Sequence, residues 1–323
     1  MFTFQNSNIV LWLKRQLREM LRDEYKQFYW RKSGEFRHFL WKRGVFIGKD
    51  GRVRVPTIEV SLAHECNLKC KYCFHHSPFR TGLVPKARIA DSFDKWSRKI
   101  VPKCVILTGG EPLLNPDVVE IVADAAHYWQ QSQCEVWTNG ILLPRVAEDV
   151  LRGFAKHHAL VYISQSLDTE EYRELLKESL LRLKQFNIRY KVFEAFRSWR
   201  CDYDIDGDGV PVPYRSNPAV AHSHCPAKRC TLVCGDHLYR CNFLSFISTA
   251  LQEKAIGPEW NLALTHKPVT FEHSPEEIRQ YLLGGFMPEC SICPEARTIT
   301  ETKQYSTEEL QQAKRRIQER YPS

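Results

Sequence analysis

The sequence predicts an α/β protein: a partial (β/α)6 barrel with an N-terminal helical extension and a small, cysteine-rich α+β domain on its C-terminal side. Three observations carry this. Between Thr57 and Phe196, β-branched runs alternate with helical stretches, the pattern of a parallel sheet with right-handed crossovers. Cysteine or glycine-and-polar motifs close four successive strands, at the rim where a parallel barrel collects its functional residues. Beyond residue 222 the beat fails, and six cysteines fall between 225 and 293. The expected segments are an extension over 1–52, the barrel over 53–222, the cysteine-rich domain over 223–300 and a closing helix over 301–323.

Composition sets the class. With 323 residues, 43% hydrophobic and 26% charged, the chain has room for one large globular domain with an appendage. No apolar run approaches the ~18 residues of a membrane span. Ile9–Leu13 is cut short by Lys14 and Arg15, so a signal-peptide core is not expected. Twelve cysteines without a secretion signal point to the reducing cytoplasm, where thiols serve metals rather than disulfides. Net charge is +8, from 46 basic and 38 acidic residues. With no Arg/Lys-rich block, nucleic acid is not an expected partner.

The elements follow in order. Trp12, Leu13, Leu17, Met20, Leu21, Tyr25 and Phe28 recur at helical steps, with Lys14, Arg15, Arg18, Arg22 and Lys26 across the other face. Such a helix can lie on an anionic membrane surface. Packing against the barrel is preferred here, because most amphipathic helices serve a core. Gly48–Gly51 turns into a short strand pair before Pro56. Strands are expected at 57–62, 104–108, 135–137, 160–164 and 188–196, with helices at 86–99, 116–130, 144–156 and 169–185. A sixth strand is expected between 210 and 225. Asp202–Gly209 starts like a calcium loop, but Pro213 stands where the bidentate Glu belongs. An acidic surface loop is the preferred reading, with calcium or a cationic substrate group as alternatives. Thr231–Arg240 reads as a tight hairpin, 275–283 as a helix, and Ser306 opens a capping box.

Chemistry concentrates first at Cys66, Cys70 and Cys73, a C-x3-C-x2-C loop after the first barrel strand. Soft thiolates select zinc, Cu(I) or iron–sulfur centres. A structural zinc would need a fourth ligand, which His64, His75 or His76 could supply. Three thiolates on a cubane instead leave one iron open.

This spacing, with the aromatic Tyr72 before the last cysteine, resembles the radical S-adenosylmethionine (SAM) superfamily, and the resemblance runs from residue 57 to about 196. It implies a [4Fe-4S] cluster on Cys66, Cys70 and Cys73 whose open iron chelates SAM. One electron, from a donor such as flavodoxin or ferredoxin, then cleaves SAM to a 5′-deoxyadenosyl radical. Gly109-Gly110-Glu111-Pro112 matches the family's G-G-E-P element. Gly109 and Gly110 would lie close to the methionine part of SAM, with Glu111 accepting from its ammonium group. Thr138 and Asn139 would make polar contacts at the next strand end, Ser166 would reach the ribose or carboxylate, and Tyr72 would lie beside the adenine. Thr138 and Ser166 also have the simpler role of satisfying backbone groups at strand ends.

The C-terminal cysteines resemble the twitch domain, a shortened SPASM domain. That resemblance implies a second, auxiliary [4Fe-4S] cluster on Cys225, Cys241, Cys290 and Cys293, with Cys230 a rival for Cys225 or the first ligand left out. Zinc on the same thiols and plain core filling are the alternatives. No cysteine follows Cys293, so one auxiliary cluster is the most this region can hold. The implied substrate is small and polar, sugar- or aminocyclitol-like. Its radical would be oxidised by the auxiliary cluster or epimerised by a thiol hydrogen donor, for which Cys201 and Cys230 are the catalytic candidates. Cys104 and Cys134 are expected to open strands at the far end of the barrel. The competing readings are a maturase acting on a ribosomal peptide, for which the first 50 residues look too short, and a non-catalytic metal-binding module.

Overall fold

The computed structural model describes residues 23–252 and 258–320. Helix α1 (Asp23–Arg43) leads to β1 (Phe46–Ile47), which pairs antiparallel with the start of β2 (Val53–Ala63). Trp12, Leu13, Leu17, Met20 and Leu21 lie outside the described residues.

From β2 the parallel run proceeds through α2 (Lys86–Ser97), β3 (Ile100–Gly109), α3 (Val118–Tyr128), β4 (Gln133–Thr138), α4 (Glu148–Lys156), β5 (Leu160–Ser164), α5 (Glu170–Gln185) and β6 (Arg189–Phe193). These five strands lie side by side in chain order, the open α/β sheet expected of a partial barrel. Register explains its two faces. Val60, Leu107, Val136 and Val161 stand opposite one another across β2–β5 and bury against Phe93, Trp96, Ile121, Leu151 and Phe154 of the helices. Burying each such side chain contributes about 1.5–3 kcal/mol. Because strand side chains alternate, their neighbours Glu59, Ile106, Glu135 and Leu160 form a row on the inner face.

The sixth strand expected between 210 and 225 is not formed. After β7 (Trp199–Arg200), that stretch gives only β9 (Pro211–Val212), paired with β8 (Asp204–Ile205), and then α6 (Pro218–His224). Pro211, Pro213 and Pro218 explain this, since proline cannot donate to a ladder. The sheet is extended instead at its other edge. There β10 (Leu232–Cys234) runs parallel to β2, with Leu232 opposite Glu59. It forms the expected hairpin with β11 (His237–Tyr239), Gly235 taking φ +58 in the turn. The hairpin of the cysteine-rich segment is therefore continuous with the barrel sheet.

A second core lies beyond the strand ends. Here α7 (Asn242–Gln252) and α8 (Asn261–Leu264) follow the hairpin, and β12 (Val269–Thr270) pairs with β11. Phe243, Ile247, Trp260, Tyr203 and Tyr305 pack together, with Tyr72 and Phe74 of the cysteine loop against them. The helix expected at 275–283 is α9 (Pro275–Leu283), capped by Ser274 and Glu277. After β13 (Ile299–Thr300), the box at Ser306 closes as expected: Ser306 Oγ accepts from Glu309 N at 3.1 Å and Ser306 N donates to Glu309 Oε2 at 2.8 Å, opening α10 (Thr307–Arg320). The acidic loop is the turn of the β8–β9 hairpin, with Asp206 Oδ1 accepting from Asp208 N at 3.0 Å and Val210 N at 2.9 Å. Among the described residues no helix is long and apolar enough to cross a membrane.

Candidate active site

The cysteine loop leaves β2 at Ala63, opposite Gly109. A Cβ on Gly110 would sit 1.9 Å from the Glu65 carbonyl oxygen. Gly109 adopts φ +138, and a Cβ there would lie 2.5 Å from the Ala63 oxygen. The space a side chain would need is filled by the root of the loop, so both glycines let β3 press against it. Tyr72 takes a left-handed turn (φ 59) just before Cys73.

Each of the three loop thiols lies among N–H donors, Cys70 buried and Cys66 and Cys73 half-buried. Cys66 Sγ accepts from Leu68 N at 3.4 Å and Asn139 Nδ2 at 3.7 Å. Cys70 Sγ accepts from Gln304 Nε2 at 3.0 Å. Burial pushes Cys73 up, opposed by the backbone N–H groups of Ser77 and His75, the Ser77 hydroxyl and the Arg80 guanidinium. Burial raises Cys66, helped by Glu111 and the other two thiols, and with Cys73 beside it pushes Cys70 up to about 12. The three thiols thus face one another. The histidines do not join them: His76 stacks on Tyr203 at 4.7 Å, His75 meets Phe246 edge-on at 4.3 Å, and His64 contacts Arg80.

Glu111, wholly buried, ties the ends of β3 and β4 together beside this loop, its backbone N donating to the Glu65 carbonyl at 3.0 Å. Its Oε1 accepts from Thr138 Oγ1 at 2.6 Å and Leu113 N at 3.1 Å, and its Oε2 from Asn139 N at 2.9 Å. Each carboxylate oxygen can take two donors, so Oε2 retains one position. Burial raises the carboxyl to about 7, against the pull of these donors. Asn139 continues the web to Asn67 Oδ1 at 2.7 Å, and Tyr172 OH donates to the Asn139 carbonyl at 2.5 Å. Ser166 is buried at the end of β5 and donates to the Ser164 carbonyl at 3.2 Å, the simpler of its two expected roles. The Tyr72 ring lies 5.8 Å from that of Tyr203.

The second group of thiols comes from α6's end, α7's start and the 288–292 turn. Cys225 is raised by burial to about 11, with Cys290 beside it. Burial takes Cys241 to about 12, helped by Cys225 and Cys290. Cys293 rises further, by burial and then the charges of Asp202, Cys225, Cys241 and Cys290. These four side chains neighbour one another. Cys230 neighbours Cys225 as well, but its thiol donates to Glu59, and burial and then Glu59 raise it. Cys201, raised by burial to about 11, faces Asp202 and Asp204. Cys104 does not open its strand but stands mid-β3, raised to about 12 by burial and Glu135.

Several residues at these sites gave no sequence signal. The segment 303–305 straps the cysteine loop: Lys71 N donates to Lys303 O and Tyr305 N to Lys69 O, both at 2.8 Å. Gln304 also accepts from Lys69 N at 2.8 Å. Beside the second group, His266 bridges Glu289 at 3.0 Å and the Tyr281 hydroxyl at 2.9 Å, and that hydroxyl accepts from Arg240 N at 3.2 Å. This brace joins the backbones carrying Cys241 and Cys290. Arg200, paired with Asp202 at 2.7 Å, lies 5.0 Å over the Phe74 ring and beside Cys225, Cys230 and Cys293.

Among the described residues no three Cys, His, Asp or Glu side chains converge as a single ion requires; a cubane, larger than an ion, holds its ligands further apart. The donor chemistry of Cys66, Cys70 and Cys73 fits such a cluster, because thiolate ligands are stabilised by N–H groups aimed at sulfur.

Known proteins resemble parts of this chain. Residues 60–198 match the family model of the radical SAM superfamily. The GTP 3′,8-cyclase of Clostridium acetobutylicum is 32% identical over 155 residues, 46% of this chain and 44% of that protein. The human molybdenum cofactor biosynthesis protein 1 is 35% identical over 117 residues, 35% of this chain and 17% of that protein. The chain thus spans less than half the length of these curated relatives. Among solved structures, BtrN in complex with AdoMet and 2-DOIA is 15% identical, with a TM-score of 0.44 over 77% of this chain and 96% of that one. The cysteine loop and the strand-end web both lie inside residues 60–198, the segment that matches the radical SAM superfamily model.

Proposed function

We propose that this radical SAM enzyme carries two clusters and acts on a small polar substrate, oxidising or epimerising it. Cys66, Cys70 and Cys73 hold the first cluster, and Cys225, Cys241, Cys290 and Cys293 the auxiliary one. When bound, the first cluster with SAM supplies a hydrogen-abstracting radical, and the auxiliary cluster an electron acceptor.

The observation that carries the SAM site is the web of Glu111, Thr138 and Asn139, which fixes the ends of β3 and β4 against Cys66. The remaining acceptor position on Glu111 Oε2 suits the ammonium of SAM, a charge-assisted bond. Ser166 keeps its hydroxyl lone pairs for a cofactor hydroxyl, and Tyr72 offers an aromatic edge. The inner face of the sheet suits a polar substrate: Trp137 stacks on Tyr162 at 4.4 Å and donates from Nε1 to Glu135 Oε2 at 2.8 Å.

Epimerisation is favoured by one placement. Cys230, through its bond to Glu59, lies at the inner face of β2, where a thiol can return a hydrogen to a substrate radical. The likeness to GTP 3′,8-cyclases covers under half of either chain, so it supports the SAM chemistry without carrying their substrate over. All twelve cysteines are free thiols, which suits the reducing cytoplasm and a ferredoxin or flavodoxin as electron donor.

Anaerobic reconstitution tests the reading. About eight irons per chain and 5′-deoxyadenosine formation under reduction are expected, two cubanes' worth. About four irons removes the auxiliary cluster, and no 5′-deoxyadenosine from loaded protein removes the reaction.

A further inference from the structure

Helix α1 has two unlike faces. One is fastened to the body: Gln27 bonds the Arg297 backbone through both its amide nitrogen (2.9 Å) and oxygen (3.0 Å), and Trp41 is buried. The His38 ring meets that of His222 on α6 edge-on, with centroids 6.1 Å apart.

The other face is an apolar ridge in solvent. Phe28, Tyr29, Phe36, Phe39 and Leu40 are 50%, 51%, 61%, 55% and 50% exposed. At 100° per residue they share a sector of about 120°. The ridge continues into Phe46 and Ile47, 51% and 39% exposed. Lys32 and Arg43 fall within the same sector, and an exposed apolar surface of this size studded with cations marks an interaction site. Fastening of the opposite face keeps the helix from rolling to bury it.

Charge says what covers it. The other exposed positions between 27 and 43 are Lys32, Arg37 and Arg43. The single acid there, Glu35, is half-buried and paired with Lys32 at 3.2 Å. Arg43 lies 5.8 Å over the Phe39 ring, so the cation rides on the apolar ridge. Aromatic residues with flanking Lys and Arg are what an anionic bilayer interface accepts: rings enter at headgroup depth while the cations meet lipid phosphates. A second copy fits less well, because a two-fold contact would set these cations against each other with no free acid between them. We infer that α1 and β1 form a peripheral membrane-binding surface for anionic phospholipid, seating the enzyme on a bilayer by its N-terminal face.

Flotation of the full, cluster-loaded chain with phosphatidylcholine vesicles, with and without phosphatidylglycerol, tests this. Binding is expected only with phosphatidylglycerol present and should weaken as salt rises. Phe36→Ser with Phe39→Ser, and separately Arg37→Glu with Arg43→Glu, should each lower partitioning about tenfold or more. Iron content and elution volume should stay unchanged, because all four side chains are exposed. Absence of vesicle binding overturns the inference, as does equal binding to neutral vesicles or by both variants. A dimer that both variants dissociate, without flotation, would assign the ridge to a second copy and overturn it too.

Discussion

The two thiol groups of this chain are built in opposite ways. Cys66, Cys70 and Cys73 share one loop, and the chain around them only has to hold that loop against the ends of β3 and β4. Cys225, Cys241, Cys290 and Cys293 stand on separate elements, brought together by a hairpin docked on β2 and by the His266 brace. The first group is a local motif with tertiary support, the second a tertiary object. A loop of fixed covalent reach keeps its thiols together even when its support loosens. An assembled group loses its geometry with any one of its supports.

The largest test of this contrast is removal of the loop thiols. Cys66→Ala, Cys70→Ala and Cys73→Ala together should abolish 5′-deoxyadenosine formation yet leave about half the iron, since cubanes at the two sites hold about equal shares. Retained SAM cleavage would break the comparison at its stronger side.

Next comes the assembled group. Cys225→Ala should lose about half the iron, whereas Cys230→Ala should keep it all, because only Cys225 neighbours Cys241, Cys290 and Cys293. The reverse pattern, read by iron content at equal solubility, would make Cys230 the ligand.

Glycines sharpen the difference in support. Gly110→Ala drives a methyl into the Glu65 backbone at 1.9 Å and should cost about 3 kcal/mol in thermal unfolding. Gly284→Ala meets the guanidinium tip of Arg240 at 2.1 Å and backbone, the Tyr281 carbonyl oxygen, only at 3.2 Å; the tip can shift at the expense of its bond to that carbonyl, so a cost of about 1 kcal/mol is expected. Equal costs would mean that the loop root is no stiffer than the second group's edge.

Glu111→Gln tests the carboxylate that supports the first group. It turns an amide N–H toward the N–H of Asn139, a loss of about 1–3 kcal/mol, and should weaken SAM binding about tenfold or more at full iron content. It also changes pH dependence. The carboxyl titrates near 4.5 unfolded and at about 7 folded, so between these values the folded chain holds the extra proton. Its stabilising contribution is complete below pH 4.5 and is lost as pH rises through 7, about 3 kcal/mol in all. Apo-protein melting curves should show this slope in the parent and a flatter one in Glu111→Gln.

Legibility follows the same division. The helix over 275–283 and the strand over 160–164 were readable to the residue, because periodicity and punctuation are local. The sixth strand was misplaced, since proline content argued against 210–225 but only packing could show the hairpin lying beside β2. Gln304 was invisible, because its partner Cys70 lies 234 residues earlier.

By itself the sequence determined the α/β beat, the three-thiol loop and the strand-end motifs facing it, since covalent spacing and side-chain period fix which groups one short segment can present. The tertiary structure alone decided that Cys225 neighbours Cys241, Cys290 and Cys293, that residues 303–305 strap the first group, and that α1 turns its aromatic ridge outward. Each of these depends on which distant surfaces pack together, a choice made by burial and complementarity across the whole chain rather than by any one stretch of it.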